Sequence, residues 1–169
     1  MTTTAPQHDA DHWLRLDRQV CFPLYAATNL MQRLYRPLLA PLGLTYSQYL
    51  VLLLLWERGS ATVGELRDCL YLDAGTITPL LKRMERGGLV TRSRDSEDER
   101  RVIIAPTPHA TALREQARQI PETLAARIGL DATKAAELHE GTTSLVERLH
   151  VLLKPPGSQP LFQHQSTSP

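Results

Sequence analysis

The chain has 169 residues, 42% hydrophobic and 22% charged, and its 19 basic side chains nearly balance 18 acidic ones for a formal charge of +1. That fits one globular domain, or two small ones, and excludes a binder that coats nucleic acid by charge alone, while leaving room for a local basic face. No stretch reaches the roughly 20 apolar residues of a membrane span; the longest runs from Tyr49 to Trp56. The opening MTTTAPQHDADHW has neither a basic nor an apolar segment of the secretory type, so a cytoplasmic protein with no membrane partner is expected. Cys21 and Cys69 stand outside any CxxC pair, which argues against a disulfide scaffold or a Cys-based zinc site. His8, His12, His109, His139, His150 and His164 are scattered without ligand spacing, so no metal and no cofactor is expected.

Residues 1–12 and 155–169 are polar or rich in Pro, Ser and Gln and read as disordered tails. Residues 13–154 read as one mainly helical domain. A first long helix carries Leu24, Met31, Leu34, Leu38 and Leu39 and stops near Pro41 and Gly43. Pro23 sets its start and pushes Phe22 toward an extended conformation, which puts Cys21 just outside the helix N-terminus. A second helix, Tyr46 to Arg58, is apolar almost all round and is expected to be deeply buried; Gly59 stops it.

Thr62-Val63-Gly64-Glu65 spells a capping box, and Val63, Leu66 and Leu70 then keep helical spacing to about Leu70. After a Tyr-Leu-Asp-Ala-Gly break, another helix carries Ile77, Leu80, Leu81 and Met84 on one face and ends at Gly87-Gly88. Two short amphipathic helices joined by a small turn form the helix-turn-helix pattern. Leu89 to Arg94 and Arg101 to Ala105 flank the charged turn from Asp95 to Glu99 as a β-hairpin. Two further helices, Pro108 to Gly129 and Asp131 to Leu153, close the domain, and their apolar stripes are candidates for an oligomer interface.

A helix-turn-helix followed by a basic-flanked hairpin is a winged helix, in which one helix reads the major groove and the wing reaches the backbone or minor groove of double-stranded DNA. From Lys82 to Arg101 there are seven basic and five acidic residues, a local +2 that leaves −1 on the rest of the chain. Gly75, Thr76 and Thr78 offer N–H groups and hydroxyls to phosphates and base edges; Lys82, Arg83 and Arg86 point outward, and Arg92, Arg94, Arg100 and Arg101 are the wing contacts. Any single arginine here could equally belong to an ordinary solvated face; the constellation is harder to explain that way.

Three ordered runs, LDRQVCFPLYAATNLMQRLYRPLLAPLGLTYSQYLVLLLLWE, VGELRDCLYLDAGTITPLLKRMERGGLVTR and EDERR, resemble the MarR family of winged-helix repressors over roughly Leu16 to Thr107, and within it the organic-hydroperoxide-sensing (OhrR-type) branch. The resemblance implies a transcriptional repressor and no enzyme. It implies a symmetric homodimer on a palindromic operator with half-sites about one helical turn apart. The DNA-reading part would occupy residues 45–106 and the dimerisation helices 13–44 and 107–154. By position in the motif it assigns the peroxide-sensing cysteine to Cys21 and its two hydrogen-bonding tyrosines to Tyr35 and Tyr46.

Cys21 and Tyr35 are 14 residues apart, so they share a helix face but lie about 21 Å apart at 1.5 Å per residue and cannot touch within one chain. If two first helices pack antiparallel across a two-fold axis, Cys21 of one subunit meets Tyr35 and Tyr46 of the other. A helix N-terminus and hydroxyl donors favour the thiolate, the species that attacks a peroxide. Phe22, Leu24, Tyr25 and Met31 would line the pocket and suit an alkyl or lipid hydroperoxide as inducer.

Some members of the branch carry a second, resolving cysteine in the helix after the wing; Pro108 to Gly129 has none, and Cys69 reads as structural. The sulfenic acid at Cys21 would then be capped by a small external thiol, closed to a sulfenamide or over-oxidised. Pro23 and the segment PTPHA after the wing also depart from the family pattern. Two other readings compete: a MarR-type repressor gated by a bound phenolic ligand, with Cys21 incidental, and a thiol peroxidase, which would leave the winged helix unexplained.

Overall fold

The computed structural model describes residues 13–153, so the expected tails at 1–12 and 155–169 lie outside the described residues. Helix α1 spans Cys21–Leu39. Cys21 is its first residue rather than the residue before it, and Pro23 sits third. The first four N–H groups of a helix have no intrahelical acceptor, so a proline anywhere in that turn costs no bond, and Pro23 need not mark the first position. A 3-10 turn at Ala40–Leu42 follows, and Gly43, at φ +66°, ends the run in the left-handed region that favours glycine.

Helix α2 spans Tyr46–Arg58. Thr45 caps it: the Gln48 backbone N–H donates to the Thr45 hydroxyl at 3.4 Å while the Thr45 N–H donates to Gln48 Oε1 at 2.8 Å. Tyr49, Val51, Leu52 and Leu55 are buried, but Leu53 is exposed, so burial is one-sided rather than all round. The expected capping box at Thr62 is present, with Glu65 N–H to Thr62 Oγ1 at 3.1 Å and Thr62 N–H to Glu65 Oε2 at 2.7 Å, and it starts α3, Val63–Cys69. Helix α4 is Ala74–Arg86, with Ile77, Leu80, Leu81 and Met84 buried.

Strands β2 (Val90–Arg94) and β3 (Val102–Pro106) form the expected hairpin, closed where Asp95 N–H donates to the Arg101 carbonyl at 3.0 Å. Sequence reading misses β1, Ala61–Thr62, which pairs antiparallel with β3 to give a three-stranded sheet in the order β1-β3-β2. Two residues are too few to show a period of two. The core lies among α2, α3, α4 and the inner face of this sheet, joined by Leu39, Leu42 and Leu44.

The single helix expected over Pro108 to Gly129 is two: α5 at Pro108–Ala117 and α6 at Ile120–Ile128. Pro121 has no N–H to donate to the Ala117 carbonyl, so the chain breaks at Arg118-Gln119. Helix α7 is Ala132–Leu153, capped by Asp131, whose Oδ1 accepts from the Lys134 N–H at 2.9 Å, and none of its residues is buried. No single helix among the described residues is long and apolar enough to cross a membrane.

Candidate functional site

The helix-turn-helix presents α4 outward. With Ile77, Leu80, Leu81 and Met84 buried, Gly75, Thr76, Lys82, Arg83 and Arg86 are exposed and Thr78 is half-buried. Asp73, which sequence reading passed over, caps this helix by accepting from the Thr76 N–H at 2.7 Å and the Thr76 hydroxyl at 2.9 Å. These bonds hold the Asp73 carboxyl below the usual carboxylate range. Both Thr76 donors expected to meet DNA are thus engaged inside the protein, and the D-x-x-T spacing was the available signal. A Cβ on Gly75 would stand 3.0 Å from Asp73 Oδ1, so this glycine has a structural reason beside any contact role.

In the wing, Arg94 pairs with Glu99 at 3.9 Å and Arg101 with Asp95 at 3.8 Å, while Arg100 is exposed. Arg92 differs: it faces Glu85 of α4 at 3.7 Å, and its side chain is only 24% exposed. Lys82 and Arg83 have no ion pair among the described residues, which leaves their charges available to phosphates.

The second constellation lies on α1 and α2. Cys21 is exposed in the first turn of α1. Tyr35, four turns on, stacks on Tyr46 of α2 with ring centroids 4.8 Å apart and on Tyr49 at 5.8 Å. Tyr49 continues to the edge of Trp56, whose indole N–H donates to the Ala110 carbonyl at 3.0 Å. Tyr35 and Tyr46 are therefore brought together, and Cys21 stays about 21 Å along α1 from Tyr35. Tyr49, absent from the sequence-based set, is the third ring; its i, i+3 spacing from Tyr46 was the signal. Burial, and then the neighbouring Tyr46 and Tyr49 phenols, push the Tyr35 phenol up to about 12. Burial also raises Tyr46, and burial followed by Tyr46 raises Tyr49. At neutral pH these phenols keep their protons and can donate to an anion.

A groove of about 600 Å³ runs between α1 and α7, lined by Leu24, Met31 and Tyr46 together with Leu138, Leu145 and Leu149. Of the four expected pocket residues, Leu24 and Met31 are in it; Phe22 and Tyr25 are not, and both are exposed. At about 100° per residue they turn roughly 160° and 100° away from Leu24, too far to share its face. Cys69 is half-buried at the end of α3. Among the described residues no cluster of His, Cys, Asp and Glu is arranged to hold a metal ion.

The family model for MarR proteins matches residues 44–102, from the residue before the α2 cap to the first residue of β3. The organic hydroperoxide resistance transcriptional regulator of Bacillus subtilis is 46% identical over 140 residues, covering 83% of this chain and 95% of that protein. Among solved structures, reduced AbfR of Staphylococcus epidermidis bound to DNA is 34% identical with a TM-score of 0.70, covering 83% of this chain and 96% of that one. A disulfide-formed AbfR structure is also 34% identical, with a TM-score of 0.56 and coverage of 79% and 94%. The relative and the DNA-bound structure each cover 83% of this chain, more than the winged helix alone, and the chain belongs to the MarR family.

Proposed function

We propose that this chain is a homodimeric transcriptional repressor that binds a palindromic operator and releases it when an organic hydroperoxide oxidises Cys21. One observation carries the reading: an exposed cysteine opens α1, while the Tyr35 phenol lies on the same face of that helix about 21 Å further along, packed against Tyr46 of α2. That separation is useless within one subunit and closes if two α1 helices cross antiparallel, so that each Cys21 receives Tyr35 and Tyr46 from the other subunit.

The apolar surface supports the same pairing. Helix α7 buries no residue, yet Leu138 and Leu149 are about half exposed and Leu152 is 81% exposed; Tyr25, Leu30 and Leu34 add to this on α1. A 22-residue helix with so little tertiary burial needs a partner surface, and a second copy supplies it.

In the chemical step the Cys21 thiolate attacks the terminal peroxide oxygen. An S–O bond forms, the O–O bond breaks, and the alkoxide leaves as alcohol after taking a proton. The sulfenic acid no longer accepts the phenol hydrogen bonds as the thiolate did, so both subunits rearrange and the two reading heads lose their spacing. A small external thiol then caps the sulfur with loss of water.

The similarity to the B. subtilis regulator supports the inducer class. The groove between α1 and α7, with Tyr46 in its wall, favours one alternative, a repressor gated by a bound phenolic ligand. Gel shifts with reduced and cumene-hydroperoxide-treated protein separate the two. Wild type should release the duplex while Cys21→Ser binds it and does not release; equal release by both proteins would sink the cysteine-sensor reading in favour of the ligand-gated one.

A further inference from the structure

The link between the reading helix and the wing is built from small residues. Helix α4 ends at Arg86, and Gly87 and Gly88 lead into Leu89 and β2, with Gly88 at φ +69°. A Cβ on Gly87 would stand 3.3 Å from the Arg83 carbonyl oxygen. Such a joint sets a direction but resists bending poorly, because glycine has the widest backbone freedom. Yet the fold can dock only if helix and wing keep a fixed angle.

Arg92 is placed to hold that angle. It sits opposite Ile104 in the β2–β3 ladder, and directly opposed residues lie on one face of a sheet. Ile104 is fully buried, and so is Val90, two residues before Arg92 on the same side of the strand. The aliphatic stem of Arg92 therefore lies on the inner face of the wing, and its guanidinium reaches back to Glu85 at 3.7 Å. Arg94, Arg100 and Arg101 are all exposed; among the four wing arginines Arg92 alone is half-buried. Glu85 itself is an acidic side chain on the reading helix next to the DNA-facing Arg86, where simple charge complementarity would not place a carboxylate.

We infer that Glu85 and Arg92 are positioning residues, a brace that fixes the angle between the reading helix and the wing, and that Arg92 is not a DNA contact. The inference rests on the reading of α4 and the wing as the DNA-binding elements. An ion pair with one solvent-exposed partner at 3.7 Å contributes little to stability, so the effect belongs in binding, where both heads of a dimer must hold the same angle at once.

The test uses the full-length protein, a duplex that the wild type enriches from a random-sequence pool, and an unselected random duplex. Glu85→Gln removes a negative charge from the DNA face. A brace predicts that selected-duplex affinity nevertheless falls, by about three- to tenfold for two heads, while random-duplex affinity holds or rises. Arg92→Gln should lower selected-duplex affinity without changing the slope of log affinity against log salt; a phosphate contact would reduce that slope by about one per head. The exchanged pair Glu85→Arg with Arg92→Glu should recover selected binding above either single variant. Tighter or unchanged selected binding by Glu85→Gln overturns the brace, as does a reduced slope for Arg92→Gln, or an exchanged pair no better than the singles. A variant that loses selected and random binding in parallel, with a lowered melting temperature, also overturns it in favour of a general packing role. Failure of the underlying DNA-binding reading looks different: the wild type would enrich no sequence from the pool.

Discussion

Tyr35 shows how the packing around a phenol fixes whether it can act as a donor. Packed between Tyr46 and Tyr49, it holds its proton up to about 12. A phenol that ionised easily would repel a thiolate; one held protonated donates to it. In the proposed intersubunit site Tyr35→Phe should therefore leave DNA binding intact and raise the peroxide dose needed for half-release severalfold, read by gel shift against a peroxide series; an unchanged dose would remove Tyr35 from the sensor. The same residue makes a pH statement. Its pKa is raised in the folded protein above 10.0, so the stability it contributes is fully present below pH 10 and is lost as pH rises toward about 12, because the unfolded chain releases its proton first. Urea midpoints across that window should fall less steeply for Tyr35→Phe than for the wild type. Tyr35 and Tyr46 entered from the family resemblance, and the structure brings the two rings together. Their contact with each other, and Tyr49 as third ring, needed the packing of α1 on α2.

At the scale of elements, caps and breakers explain most boundaries. Thr62 with Glu65 and Thr45 with Gln48 start α3 and α2 by the same reciprocal bonds. Removing the buried cap by Thr62→Ala should cost about 1 kcal/mol in chemical denaturation; no loss would mean that the β1 pairing alone holds this corner. Glu65, whose bonds to Thr62 lower its pKa below the ordinary 4.5, contributes stability that is present above that value and lost as pH falls through the lowered one. In Thr62→Ala this acid-side loss should shrink, which the same denaturation series at acid pH would record.

The Thr62 start was legible because a cap is a local event among four residues; the same event at Thr45 and Gln48 had the same spacing. The break between α5 and α6 was legible only in principle, through Pro121, since a proline near a helix start and a proline breaking a longer helix look alike until the chain direction is known. Strand β1 had no local signal at all; Ala61 and Thr62 are extended because Ile103 and Ile104 of β3 offer them a ladder.

For the molecule as a whole, the weakly buried α7 and the exposed apolar face of α1 are the features that a single subunit leaves unresolved. With a second copy across them, the double variant Leu138→Glu with Leu149→Glu should sediment as a monomer while the wild type sediments as a dimer. The monomer would keep only one reading head, so its affinity for a palindromic duplex should fall by orders of magnitude. A double variant that remains dimeric would place the interface elsewhere.

The near-neutral total charge agrees with such a design: a local +2 on each reading head is too small for coating nucleic acid and relies on two heads held at a fixed spacing. By itself the sequence determined the helix-turn-helix, the hairpin, the Thr62 capping box and the family, because these depend on short-range periodicity, turn chemistry and ordered motifs. Only the tertiary structure decided that Arg92 turns inward to Glu85, that α7 lays its leucines along α1 to form the groove, and that the tyrosines gather into one cluster. Each of these depends on which face of an element meets another, and that is settled by long-range packing, where residues distant in the chain compete for the same core.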